Sequence, residues 1–62
     1  MTDDEANKFE RVFTMPRGIH QGQPVGEVPC AYLILWSEPD EFSRRLQRYV
    51  RSKTFARRQD EE

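Results

Sequence analysis

All three glycines and three of the four prolines of this chain fall within fifteen residues, from Met15 to Pro29. Glycine reaches positive φ, and proline fixes φ and removes a donor. A run spaced this tightly dictates a backbone path rather than a cluster of reactive groups. It excludes any continuous helix or long strand through the middle of the chain. The expected consequence is a tight turn over Gly18–Gly22 between two short strands, one near Arg11–Met15 and one at Gln23-Pro24-Val25. Pro24 has no ladder donor and would sit on an edge. A two-stranded hairpin is marginal in water, so a helix must cover one of its faces.

That requirement matters because the chain is short. Sixty-two residues make one small domain, which buries only about 60% of its unfolded surface. Chains of this size are often stapled by disulfides, metals or partners. Cys30 and His20 are the only cysteine and histidine, too few for an internal disulfide or a closed four-ligand zinc site. A partner or a second copy is the remaining staple. The apolar residues fill one thin core and leave nothing to wall a substrate cavity of several hundred Å3. No apolar run approaches the ~20 residues of a membrane span. The acidic start Met1-Thr2-Asp3-Asp4-Glu5 is unlike a secretory leader, and with a lone thiol the expected location is the cytoplasm.

Residues 1–8 are polar and without periodicity, and are expected to be disordered. A single domain is expected over 9–58, with an acidic tail at 59–62. Pro29 suits the first turn of a helix, and Tyr32, Leu33 and Trp36 follow at helical spacing. Ser37-Glu38-Pro39-Asp40 separates this helix from the next, with Ser37 as the expected N-cap. Phe42, Leu46, Tyr49 and Val50 then share one helical face, and Arg44, Arg48 and Arg51 the opposite one. Beyond Val50 the pattern breaks. A continued helix would carry Lys53 and Arg57 onto the apolar face and Phe55 into the arginine stripe, so the helix either projects, bends or frays there. The fold class expected is α+β: a short β-hairpin packed on a short helix and a longer basic amphipathic helix.

The segment from Met15 to Leu33 resembles a pattern of the form Met-Pro-Phe-Gly-Lys-Tyr-Lys-Gly-Lys-Pro-Leu-x-Glu-Val-Pro-x-x-Tyr-Leu. That pattern is one found in a family of small bacterial and phage proteins labelled a quorum-sensing-regulated virulence factor, and the segment is similar to the C-terminal domain of exonuclease-X-like DNA exonucleases. Met15, Pro16, Gly18, Gly22, Pro24, Glu27, Val28, Pro29, Tyr32 and Leu33 stand in matching places, over about a third of the chain. The resemblance implies a hairpin on one or two helices and an accessory role near DNA processing. Arg17 replaces the pattern's Phe, and Ile19, His20, Gln21 and Gln23 replace Lys, Tyr, Lys and Lys. The backbone devices are kept while the basic hairpin face is lost, which moves the functional expectation to the helix that follows.

From Phe42 to Gln59 there is no acid, yet there are seven basic residues, while acids gather at the two ends of the chain. Such asymmetry suggests a basic binding face. The candidate surface comprises Arg44, Arg45, Arg48, Arg51, Phe55 and Arg58. Arginines in line can neutralise phosphates, and Phe55 could stack on a base. The plainer alternatives are a solvated face and, for Phe55, a core or dimer contact. Arginine forks fit carboxylates as well as phosphates, so the expected partner is nucleic acid or the acidic surface of a host or cognate protein, not a membrane. Cys30 reads as a packing residue and His20 as an exposed turn residue. Glu27, Glu38, Asp40 and Glu41 read as helix caps and dipole partners. No catalytic, metal or cofactor site is expected, hence no enzyme. The leading function is a small binding module beside nucleic-acid machinery. The alternatives are a phage-type inhibitor docked on a host protein and a structural homodimer.

Overall fold

The computed structural model describes residues Met1–Glu62 and is all-helical. Four α-helices, α1 (Asp3–Val12), α2 (Cys30–Leu35), α3 (Glu41–Val50) and α4 (Lys53–Glu61), are joined by a loop that ends in one 3-10 turn at Val25–Glu27. The expected α+β class is therefore corrected. Pairing in the Gly-Pro loop is limited to an isolated antiparallel bridge between Thr14 and Pro24. The loop does fold back on itself: Val25 N–H donates to Phe13 O (2.9 Å) and Met15 N–H to Gln23 O (3.0 Å). It then turns into the 3-10 turn instead of extending, because the groups of the next rung are already bonded, Phe13 N–H to Phe9 O (3.1 Å) and Val25 O from Val28 N–H (3.2 Å).

The segment expected to be disordered and then extended is α1. Its signal is Thr2-Asp3-Asp4-Glu5, a Ser/Thr-x-x-Glu start. The Thr2 hydroxyl accepts from Glu5 N–H (3.2 Å), and three acids fill the first turn at the positive end of the helix dipole. Ala6 and Phe9 are buried, and Phe13 packs on the core beside them. These residues lie three and four apart, so α1 presents one apolar stripe. The β-formers Val12, Phe13 and Thr14 overlap that stripe, which is why local propensity pointed to a strand. Tertiary burial decides such conflicts.

Helix α2 follows Pro29 as expected, burying Cys30 and Leu33. Helix α3 starts one cap later than expected. Asp40, not Ser37, is the N-cap, its carboxylate accepting from Ser43 N–H (2.8 Å) and Ser43 Oγ–H (2.7 Å). The Trp36 indole N–H donates to Ser43 Oγ (2.7 Å), tying α2 to α3. Leu46 and Tyr49 are buried, and Phe42 and Val50 pack against the core, as the periodicity requires.

The break after Val50 is a new helix. Ser52, itself buried, caps α4: its hydroxyl accepts from Phe55 N–H (3.2 Å) and donates to Tyr49 O. Restarting the helix resets its phase, so Phe55 turns into the core while Lys53 and Arg57 face water. The last residues are not a loose tail, since α4 runs to Glu61. Helix α1 packs on the 3-10 turn and on α4, α3 packs on α4, and α2 packs on both α3 and α4.

Two glycines hold the loop against this frame. Gly18 adopts φ +92°, and a Cβ there would collide with the Tyr32 hydroxyl. Gly26 sits against α1, with its missing Cβ 3.2 Å from Glu10 Cβ and from Glu10 O, so the backbones meet without an intervening side chain.

Candidate functional site

The six expected surface residues divide by burial. Arg44, Arg45 and Arg48 are exposed on α3, and Arg51 at its C-cap. Phe55 is 1% exposed and meets Tyr49 edge to face at 5.2 Å between ring centroids. It is a core residue with no open face for a base, and a solvent-facing role for it is corrected. Arg58 is likewise drawn inward. Its guanidinium donates to Val25 O (3.1 Å), to the Tyr49 hydroxyl (3.0 Å), to Val28 O and to Glu62 (2.9 Å). It clasps the 3-10 turn, α3 and the end of the chain together.

The same clasp surrounds the cysteine. Glu62 accepts from Cys30 N–H and from the Cys30 thiol, each at 3.1 Å. Burial, and then the Glu62 carboxylate, push the Cys30 thiol from its ordinary 9.0 to about 11. Burial pushes the Tyr49 hydroxyl up to about 12 in spite of Arg58. Burial disfavours the Arg58 charge, but the Tyr49 hydroxyl and Glu62 outweigh it, so its pKa rises. A thiol held protonated is a weak nucleophile. No group of three His, Cys, Asp or Glu side chains is placed to hold a metal ion.

Three carboxylates are shifted the other way. Asp3 is lowered chiefly by its hydrogen bond from Arg57, Asp40 by Ser43, and Glu62 by Cys30. Lowered carboxylates stabilise the fold above their ordinary range and lose that effect as pH falls through their folded values. Raised groups stabilise it below their ordinary values and lose that effect as pH rises through the folded ones. The melting temperature is therefore expected to be highest near neutrality. It should fall below about pH 4, where Asp and Glu ordinarily titrate, and fall again as pH rises through about 11 and 12 for Cys30 and Tyr49. Thermal melts across this range check it, and a flat alkaline limb would place the thiol and phenol in water.

What remains on the surface is a basic strip with a groove beside it. Arg17, Arg45, Arg57 and Arg58 each have a carboxylate partner within 4 Å. Arg11 has none, nor do Arg44, Arg48 and Arg51, which follow one another along α3 to its C-cap. Between α1 and α3 lies an open groove lined by Lys8 and Phe9 of α1, by its C-cap Phe13, and by Glu41, Arg44, Arg45 and Arg48 of α3, with Glu5 at its side. Arg45 is paired with Glu41 (2.9 Å), and its guanidinium lies over the Phe13 ring at 5.5 Å. Sequence reasoning missed Lys8 and Phe13 because it assigned their segment to disorder and a strand. The helical spacing of Ala6, Phe9 and Phe13 was the signal that could have found them.

Large apolar side chains are exposed as well. Ile34 is 50% and Leu35 80% exposed on α2, and Ile19 in the loop is 85% exposed. No helix is long and apolar enough to cross a membrane. Compared with protein-family models, curated proteins and solved structures, the chain matches none.

Proposed function

We propose that this chain is a non-enzymatic binding module that works in the cytoplasm beside nucleic-acid machinery and grips the sugar-phosphate backbone through α3. The observation that carries the reading is the row Arg44, Arg48 and Arg51. These are exposed arginines without a carboxylate partner, while four of the other arginines are paired. They span about 10 Å of helix, and Lys8 extends the row across the groove. An ordinary solvated face mixes signs, whereas α3 beyond Glu41 carries only positive charge. The likeness of the Gly-Pro segment to domains of DNA exonucleases points the same way.

Salt dependence is the test. Three arginine–phosphate contacts release about three counterions, so affinity for nucleic acid is expected to fall about 20- to 40-fold between about 50 and 200 mM salt. Arg44→Ala, Arg48→Ala and Arg51→Ala together should remove most of that slope and leave the melting temperature nearly unchanged, since all three side chains lie outside the core. Binding that ignores salt, or that survives the triple substitution, sinks the reading.

A second reading rests on Ile34, Leu35 and Ile19, whose exposure suits docking on a host protein in the manner of a phage inhibitor. It requires a stoichiometric protein complex that persists after nuclease treatment and is lost with Leu35→Asp.

A further inference from the structure

We infer that the groove between α1 and α3 takes an unpaired base, stacked on Phe13, so that the nucleic acid bound is single-stranded. This rests on the nucleic-acid reading above and specifies its substrate. Phe13 is only partly buried. The core ring Phe9 stacks on it at 4.7 Å with an interplanar angle of 23°, which fixes its orientation. Over it lies the Arg45 guanidinium at 5.5 Å. That cover is held by one ion pair to Glu41 in which both side chains are more than half exposed, the kind of contact that contributes little.

A nucleobase offers a flat π face to the same ring, and every base does so, which makes such stacking tolerant of sequence. When a base takes the place of the guanidinium, Arg45 is released toward the backbone. Lys8, Arg44, Arg45 and Arg48 line the groove against the two carboxylates Glu5 and Glu41, so its net charge suits a polyanion. In a duplex the bases are already paired and stacked, and Phe13 could reach one only by unstacking it.

The test compares three probes by fluorescence anisotropy and competition: a labelled oligothymidylate of about 12 nucleotides, a duplex of equal length, and inorganic polyphosphate. The intact chain is expected to prefer the oligothymidylate. Phe13→Leu should lower that affinity about tenfold or more, bring single strand and duplex level, and leave competition by polyphosphate unchanged. Phe13→Tyr should keep the preference. On the unsubstituted chain, the Phe13 ring protons should move upfield on adding oligothymidylate and not on adding polyphosphate. Equal binding of single strand and duplex, an unchanged ratio in Phe13→Leu, or ring protons that stay in place would overturn the inference. If the intact chain binds none of the three probes, or if the triple arginine substitution leaves binding intact, the nucleic-acid reading itself falls, and this one with it.

Discussion

A chain carrying Phe55→Ala is expected to unfold at a much lower urea midpoint than the unsubstituted chain. Phe55 is 1% exposed and sits in the cluster that joins α1, α3 and α4. Removing a buried phenylalanine side chain costs about 3–5 kcal/mol, because the transfer loss is joined by a cavity that neighbours fill only in part. The whole stability of a domain this size is about 3–9 kcal/mol. The substitution therefore removes from about a third of it to all of it. Phe55→Leu keeps most of the volume and should cost less than about 2 kcal/mol, leaving a folded chain with a lower midpoint. Far-ultraviolet circular dichroism and urea titration separate the two. If Phe55→Ala unfolds cooperatively at the midpoint of the unsubstituted chain, Phe55 is not in the core and α4 has been placed in the wrong phase.

Arg58→Ala is the second large effect. Arg58 is the one cation drawn into the interior, with a side chain only 14% exposed. Its removal leaves Val28 O, the Tyr49 hydroxyl and one side of Glu62 without their donor, while Val25 O keeps a bond from Val28 N–H (3.2 Å). An orphaned buried polar group costs about 1–3 kcal/mol. With relaxation and water entry the sum should lie near 2–4 kcal/mol, seen as a lower urea midpoint. Arg58→Lys should recover only part, since an ammonium cannot reach two carbonyls and a hydroxyl from one plane. The clasp gives a second readout. Glu62 is held on Cys30 by Arg58, so its loss should free the thiol and speed its reaction with a thiol reagent at mildly alkaline pH. A stability within about 0.5 kcal/mol of the unsubstituted chain, with an equally inert thiol, would show that the clasp is idle.

These two residues were assigned from sequence to a binding surface, and the reason they are not on it is instructive. Periodicity reports correctly within one helix. Phe42, Leu46, Tyr49 and Val50 face the core, and Arg44, Arg48 and Arg51 face water, as their 100° spacing requires. It fails across a helix break, because the phase restarts at the new cap. The misfit of Lys53, Phe55 and Arg57 was visible in the sequence. Ser52 is the residue that resolves it, and a lone serine is too common a residue to announce a cap by itself. Helix α1 shows a different failure. Its capping signal and its apolar spacing were present, but the β-forming stretch Val12-Phe13-Thr14 and the acidic start outweighed them. Only packing of Ala6 and Phe9 against the rest of the core settles that competition.

The sequence by itself determined the short range. Pro29 opens α2, one face of α3 is arginine, and Gly18 and Gly22 supply the positive φ of a tight turn. Each depends on residues a turn or so apart, or on a backbone constraint that proline or glycine carries alone. The tertiary structure decided the rest. It turned the Gly-Pro segment from a hairpin into a loop bridged once, since no third strand or long pairing is available to it. It drew Arg58 inward to partners 9 to 33 residues away, and it set Lys8 of α1 and the C-cap Phe13 beside the arginines of α3. No local pattern encodes those meetings, because they arise only where separate helices must bury their apolar stripes against one another.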